Sequence, residues 1–405
     1  GEALGVTDQR VDVAVIGGGV VGLATALAAA STGLRIAIFD ANDSPAASES
    51  GRGIHDWDRR VTALTPASVK FLESLGVWQS ILDTRRIGSY TDMIVWDAEG
   101  TGQIQFSASD LHIDALGHIV ESSITTRALV HRAEAYPNVD IHWNTRLEGL
   151  SIREHDVALE TSNGATIAAE LVIGADGGRS KSRGLAQIRT REWRYHQNAI
   201  VATIKVNPGH DKACWQAFLP TGPLALLPLA EPDVCSIVWS LDEDLSQRWV
   251  DATDDDFLGG LNRALSDRGP RAIAVGARQA FPLVQCHAVD YSRGRFVLVG
   301  DAAHTIHPLA GQGINLGLSD AQVLGEEIVR VHQRRGEWWS SQTMKRYERQ
   351  RKGENLSMMA MMQAFKWGFG SRNPALTIMR NWGLNSVDTL PMAKKWFVEQ
   401  ATGSS

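Results

Sequence analysis

Val11-Asp12-Val13-Ala14-Val15-Ile16-Gly17-Gly18-Gly19-Val20-Val21-Gly22-Leu23 runs from β-branched residues into a cluster of glycines, and that order decides the fold. Val11 to Ile16 reads as a short buried strand, and Leu23 to Ala30, rich in Ala and Leu, reads as a helix. Gly33 then punctuates the chain, and Arg35 to Phe39 makes a second buried strand that ends at Asp40. Strand, glycine turn, helix and strand form a βαβ unit, whose parallel strands need a right-handed crossover and a covered sheet. Val13 to Ala30 is also a run of eighteen residues without a charge, long enough to be flagged as a membrane span. Its glycines are clustered rather than spread along a packing face, and Glu2, Asp8 and Asp12 spoil a positively charged leader, so the soluble reading is taken.

The glycines also carry chemistry. Gly17 permits a tight turn, Gly19 lets the backbone approach a pyrophosphate, and Gly22 lets the helix pack close to the sheet. The helix N-terminus adds unpaired N–H groups and partial positive charge for phosphates. Asp40, twenty-three residues after Gly17, places a carboxylate where it can accept hydrogen bonds from ribose hydroxyls. These features point to a dinucleotide and leave open which one.

Composition sets the outer bounds. The 405 residues are 43% hydrophobic and 21% charged, enough apolar material for a large core. Forty basic against forty-six acidic side chains give a formal charge of −6, and so no basic field to hold nucleic acid. The three cysteines, Cys214, Cys235 and Cys286, fit neither a disulfide framework nor a metal-ligand spacing, which points to a reducing compartment and to no metal site.

Along the chain, residues 41–60 read as a surface excursion, and Thr65 to Leu75 as a helix with Pro66 in its first turn. Between about 190 and 285, short apolar runs such as Ala199–Val206, Trp215–Leu219 and Cys235–Ser240 suggest antiparallel strands of a second lobe. An α/β signal returns at Arg295 to Val299, followed by a helix from Asn315 to Gln333. The last seventy residues look helical, with an apolar patch of Met358, Met359, Met361, Met362, Phe365, Trp367 and Phe369. No internal repeat is visible.

Leu298-Val299-Gly300-Asp301-Ala302-Ala303-His304 and Pro308-Leu309-Ala310-Gly311-Gln312-Gly313-Ile314-Asn315 select the dinucleotide. An acid at a strand end, then a glycine-flanked turn into a helix, suits a ribityl chain and a flavin ring. Asp301 would accept from ribityl hydroxyls, and N–H groups near Gly311, Gly313 and Asn315 would face the pyrimidine end, where the helix start stabilises negative charge. A third strand end, Gly174-Ala175-Asp176-Gly177-Gly178, read alone is a turn.

Together these segments resemble the class A flavoprotein monooxygenases, and within them the ubiquinone-biosynthesis hydroxylases, which act on polyprenyl phenols. Arg60-Val61-Thr62-Ala63-Leu64, Gly117-His118-Ile119-Val120-Glu121, Ser236-Ile237-Val238-Trp239-Ser240-Leu241 and Asp301 to Gly317 carry the likeness, which spans nearly the whole chain. The resemblance implies an α/β fold, α+β in part: a Rossmann-like FAD-binding domain with an inserted antiparallel-sheet substrate domain and a C-terminal helical region. The divisions expected are 1–85 with 116–185 and 286–345 for FAD, 86–115 with 186–285 for substrate, and 346–405 for the helical region. It implies that Gly17, Gly19 and Gly22 bind the FAD pyrophosphate and Asp40 the ribose. Arg60 would approach the cofactor, Asp176 would serve FAD and nicotinamide, and Asp301 would hold the ribityl chain. Pro308 and Gly311 would border the flavin face where oxygen reacts. Ser122 departs from the Asn common in the quinone branch, so a cofactor contact from that side chain is not expected.

The implied reaction is ring hydroxylation by a flavin C4a-hydroperoxide formed from O₂, with NAD(P)H or another donor as reductant. No metal and no covalent nucleophile are needed, and His304 and His307 are read as structural. Phe218, Leu226, Pro228 and Trp239 are expected to face the substrate, apolar material suited to a prenylated phenol rather than a small benzoate. The Met-rich tail, Lys394, Lys395 and Trp396 suggest a peripheral contact with the inner face of the membrane by a cytoplasmic protein. Partner proteins of the same pathway and a homo-oligomer stay open. The rival readings are hydroxylation of another aromatic compound, flavin-dependent reduction of isoprenoid double bonds, and a non-catalytic FAD-binding subunit.

Overall fold

A computed structural model describes residues 9–46, 51–98, 103–306 and 313–370. Gln9–Ile16 is the central strand of an eight-stranded sheet. It pairs in parallel with Ile36–Phe39 on one side and with Thr166–Gly174 on the other. Val139–His142 and Phe296–Leu298 extend the parallel array at its two sides. The strand Ile36–Phe39 is buried at every position, as expected of a parallel strand covered on both faces.

The helix Val20–Ala29 crosses between the first two strands and buries eight of its ten residues. It is held between the sheet and the helix Gly313–Gln333. Pro66–Ser74 is a helix as read, with Thr65 as its N-cap accepting the Ser68 N–H at 3.3 Å and Pro66 in the first turn.

Residues 190–288 form most of a second, nine-stranded sheet, largely antiparallel. Its spine is Thr190–Asn207, an eighteen-residue strand that pairs with both Val234–Asp242 and Gln279–Ala288. The sequence reading expected only strands here. Two helices, Glu243–Asp251 and Asp254–Ala264, are inserted as well. Acidic first turns favour both helix starts, and the Thr253 hydroxyl accepts the Asp256 N–H at 3.2 Å.

These helices cover one face of the sheet. Phe257, Leu258 and Leu261 pack with Ile200, Ala202, Ile204, Leu224, Leu226, Ile237 and Trp239 in one core cluster. Side chains of the opposite parity on the strands, including Cys214, Phe218, Ala225 and Leu227, pack with Trp57, Ala63, Tyr90 and Ile119. Ala63, Tyr90 and Ile119 belong to a three-stranded sheet of Val61–Leu64, Gly88–Tyr90 and Gly117–Glu121. The large sheet therefore has an outer face under helices and an inner face turned toward the three-stranded sheet. Ser341–Gly370 is a long helix packed on Gly313–Gln333. No helix among the described residues is long and apolar enough to cross a membrane. The aromatic and Met-rich patch from Met358 to Phe369, with Lys394, Lys395 and Trp396, lies outside the residues whose side chains are described.

Candidate active site

Three parallel strands bring the glycine turn and two acidic strand ends to one edge. Ile16 pairs with Gly174, and Gly174 with Leu298, so Gly17, Asp176 and Asp301 all follow the carboxyl ends of neighbouring parallel strands. In an open α/β sheet that edge is where ligands bind.

The glycine turn is tightly specified. Gly17 has a φ of 115°, and a Cβ there would lie 2.1 Å from the Ala175 carbonyl oxygen. A Cβ on Gly22 would meet the Gly17 carbonyl oxygen at 2.0 Å, so only glycine lets the helix approach the turn. Gly19 is the helix N-cap and supplies no side-chain cap, which leaves the first helical N–H groups without an intrahelical partner. A Cβ on Gly19 would meet nothing within 4 Å. Open space above a bare helix N-terminus fits a pyrophosphate.

Asp40 does part of its work within the protein. Its Oδ2 accepts the Gly18 N–H at 2.7 Å and its Oδ1 the Asn42 N–H at 2.8 Å. The carboxylate thus braces the glycine turn and retains lone pairs for a ribose hydroxyl. Asp176 is more fully engaged: it accepts from the Ser180 hydroxyl at 2.5 Å, the Ser182 hydroxyl at 2.7 Å and the Ser182 N–H at 2.9 Å. Three of its roughly four acceptor sites hold its own loop at the start of the helix Lys181–Leu185, which leaves little for a nicotinamide.

Asp301 differs from both. It stands on the turn Gly300–Ala302, open to solvent yet surrounded by protein. That confinement raises its carboxyl above the usual range; Asp320 adds to the rise and His304 opposes it. Arg60 precedes the strand Val61–Leu64, and its guanidinium lies 5.3 Å from the centre of the Phe281 ring, spanning from cofactor lobe to inner sheet face. Ser122 is tied to it through backbone, donating its N–H to the Arg60 carbonyl at 2.9 Å.

The Asn315 side chain is committed within the protein. Its Oδ1 accepts from the Ser68 hydroxyl at 2.6 Å and the Thr65 N–H at 3.1 Å, and its Nδ2 donates to the Ala63 carbonyl at 2.7 Å. The side chain locks the helix Gly313–Gln333 onto the segment around Thr65. Gly313 begins that helix, and a Cβ on it would meet nothing within 4 Å. Pro308, Gly311 and His307 lie outside the described residues.

Among the expected substrate residues, Leu226 and Trp239 are on the wrong face. Trp239 stacks on Trp249 at 5.9 Å and meets Phe257 edge-on at 5.7 Å, beneath the outer helices. Pro228 shares the parity of Leu226 and is buried at the strand's end beside Gly88. Phe218 does face inward, in the cluster with Trp57 and Tyr90. The inner face beyond it carries Gln216, Val238, Ser236 and Thr203, set side by side by the pairing of Thr203 with Ser236 and of Gln216 with Ala225.

Sequence reasoning missed two buried ionic clusters. Arg86 donates from Nε to Glu121 at 2.7 Å, from Nη1 to the Gly51 carbonyl at 2.6 Å and from Nη2 to the Asp56 carbonyl at 2.7 Å, with its guanidinium 4.0 Å from the centre of a Trp57 ring. Glu121 also accepts the Asp58 N–H at 2.8 Å, so the pair pins the loop leading to Arg60. The second cluster joins Asp320, Arg351 and His304 below the Asp301 turn. Asp320 was detectable as an acid four residues from both Leu316 and Leu324 on an apolar helix face. No group of side chains suited to a metal ion occurs among the described residues.

The family described as FAD binding domain matches residues 10–360. The chain belongs to this family of FAD-dependent monooxygenases. It is 34% identical to a 3-demethoxyubiquinol 3-hydroxylase of Escherichia coli, over 98% of this chain and 100% of the relative. It is 30% identical to the ubiquinone hydroxylase UbiL of Rhodospirillum rubrum, over 100% of this chain and 92% of that one. Among solved structures, a p-nitrophenol 4-monooxygenase of Pseudomonas putida superposes with a TM-score of 0.78 at 19% identity, covering 97% of this chain and 99% of the other. An HpxO variant of Klebsiella pneumoniae, solved with FAD, gives a TM-score of 0.73 at 16% identity, over 98% and 99% of the two chains. These two fix the fold. FAD is the cofactor of the family, and the bare helix start at Gly19 and the confined carboxylate of Asp301 are suited to its pyrophosphate and ribityl chain.

Proposed function

We propose that the chain hydroxylates the aromatic ring of a polyprenyl phenol in ubiquinone biosynthesis, using FAD, O₂ and NAD(P)H or an equivalent donor. The observation that carries the reading is end-to-end likeness to ubiquinone-pathway hydroxylases, at 34% identity for the Escherichia coli enzyme. We propose the lobe division expected from the sequence: 1–85, 116–185 and 286–345 for FAD, and 86–115 with 186–285 for substrate.

When bound, FAD supplies the redox chemistry and the activation of oxygen. The chain's own residues bind and orient. Gly19 and the helix start behind it would hold the pyrophosphate, Asp40 the ribose and Asp301 the ribityl hydroxyls. Arg60 would close the cofactor space against Phe281. The inner sheet face would take the ring, with Gln216, Ser236 and Thr203 offering neutral donors and acceptors beside Val238 and Phe218. That set suits an uncharged phenol. A prenyl tail keeps the substrate in lipid, so the working place we propose is the membrane surface on the cytoplasmic side.

The test is turnover by purified, FAD-loaded protein supplied with NADH, O₂ and a short-chain prenyl phenol. A product one oxygen heavier, formed in step with NADH consumption, is expected. Hydroxylation of benzoates alone would move the reading to another aromatic substrate. Saturation of prenyl double bonds without oxygen uptake would move it to a reductase. Full FAD loading with no turnover, in cells that need the chain for quinone synthesis, would point to a non-catalytic subunit.

A further inference from the structure

The turn that carries Asp301 is held from beneath by the long C-terminal helix. Asp320, on Gly313–Gln333, is fully buried, and Arg351, on Ser341–Gly370, is 1% exposed. Arg351 Nε donates to Asp320 Oδ1 at 2.7 Å. Its other nitrogens donate to Glu354 at 2.5 Å, Asn355 at 3.2 Å and the Leu316 carbonyl at 3.4 Å. The second Asp320 oxygen accepts the Gly300 N–H at 2.9 Å and bonds His304 Nε2. Gly300 and His304 stand on either side of Asp301, so one carboxylate holds both ends of the turn.

The same helix grips the strand that leads into the turn. The Tyr347 hydroxyl donates to the Leu298 carbonyl at 2.7 Å. Glu348 accepts the Tyr291 N–H and, at 3.1 Å, the Ser292 N–H. Lys352 donates to the Val289 carbonyl. Apolar packing alone would dock a helix as firmly, because a buried ion pair recovers its desolvation cost only with excellent geometry. What the charged set adds is direction: each Asp320 oxygen is aimed, one at the C-terminal helix and one at the cofactor turn.

We propose that Arg351 is a positioning residue for FAD: by orienting Asp320 it fixes Gly300 and His304 around Asp301, so that cofactor binding and docking of residues 341–356 are coupled. Linkage makes the coupling reciprocal. Each process must strengthen the other by the same factor, which for couplings of this kind is about 5- to 150-fold.

Hydrogen exchange on the full chain, deflavinated and then saturated with FAD, tests this without a substitution. FAD should slow exchange in residues 298–305 and also in 341–356; protection confined to the turn overturns the proposal. In a second arm, Arg351→Met should raise the FAD Kd by about tenfold or more. Arg351→Lys should recover part of that, and Arg351→Met with Asp320→Asn should bind FAD better than Arg351→Met alone. A purely structural Arg351 would lower the apo melting temperature and leave the FAD Kd of the folded fraction unchanged. Should Arg351→Met not fold, the exchange arm decides.

Discussion

Gly19→Ala and Gly22→Ala change two residues three positions apart in one turn, and the geometry assigns them opposite signatures. A Cβ on Gly22 would lie 2.0 Å from the Gly17 carbonyl oxygen. A carbon tolerates an oxygen at about 3.3 Å, so the helix must retreat by about 1 Å. Overpacking of that kind costs about 1–3 kcal/mol and should lower the apo melting temperature by several degrees. Gly19 has φ −83° and ψ −172°, a conformation open to alanine, and a Cβ there meets nothing within 4 Å. Restricting the unfolded chain contributes about 0.4–1 kcal/mol of stability. Alanine is a poorer N-cap than glycine by a similar amount, so the two effects roughly cancel. The new methyl group would instead occupy the space into which a phosphate must come. Loss of one charge-assisted hydrogen bond, about 1.5–3 kcal/mol, corresponds to about a 10- to 150-fold weaker FAD Kd. Differential scanning fluorimetry of apo protein and flavin fluorescence titration read the two quantities separately. Wild-type FAD affinity in Gly19→Ala would refute the placement of the pyrophosphate; an undiminished melting temperature in Gly22→Ala would refute the close helix approach.

Trp239→Ala should cost about 3–5 kcal/mol in thermal unfolding, as a core aromatic, with KM for the phenol unchanged in the folded enzyme; a raised KM would return Trp239 to the substrate side. Glu121→Ala leaves the Arg86 guanidinium buried without its carboxylate and should cost about 3–5 kcal/mol, read by urea denaturation; a cost under about 1 kcal/mol would mean that the pair does not hold the loop before Arg60. Stability should fall on the acid side. Asp320 is held below the usual carboxylate range despite its burial, by His304 and Arg351, so its contribution is present near neutrality and is lost as pH drops through its folded value. His287 is pushed down to about 4, chiefly by burial and then by His304, so from about pH 6.5 to 4 the unfolded chain binds a proton that the folded one does not. Melting temperature should decline across that window, and His287→Gln should flatten the decline.

The cofactor lobe was legible because its constraints are local. Gly17, Gly22 and Asp40 are tied by the dimensions of one strand, one turn and one helix, and the sequence spacing carries those dimensions directly. The inner and outer faces of the large sheet were not legible. Alternation along Val234–Asp242 places Trp239 and Val238 on opposite faces, but Leu224 to Pro228 is apolar throughout, so no pattern says which parity faces the cofactor. The deciding feature is the pair of helices within 243–264, which cover the face that Trp239 and Leu226 share. Arg86 and Arg351 were hidden for another reason. Arg86 stands beside Arg85, and Arg351 in the basic run from Lys345 to Lys352, so nothing in the sequence singles either out; its partner lies 35 or 31 positions away, and the pairing exists only in the fold.

Asp301 ties the geometry of the turn to the pH dependence of cofactor binding. Asp40 and Asp176 spend carboxylate lone pairs on the protein's own N–H and hydroxyl groups. Asp301 stays open to solvent, with its carboxyl raised by the protein packed around it. Ribityl hydroxyls would donate to the ionised form and so draw that value down again. A group whose value is higher in the free protein than in the complex releases a proton on binding. FAD affinity should therefore be greatest near neutrality and weaken as pH falls through the raised Asp301 range. Titrations between the onset of acid unfolding and pH 7 would measure the slope, and Asp301→Asn should bind more weakly at neutral pH with the slope removed. If the slope persists unchanged in Asp301→Asn, the proton belongs to another group and Asp301 does not meet the ribityl chain.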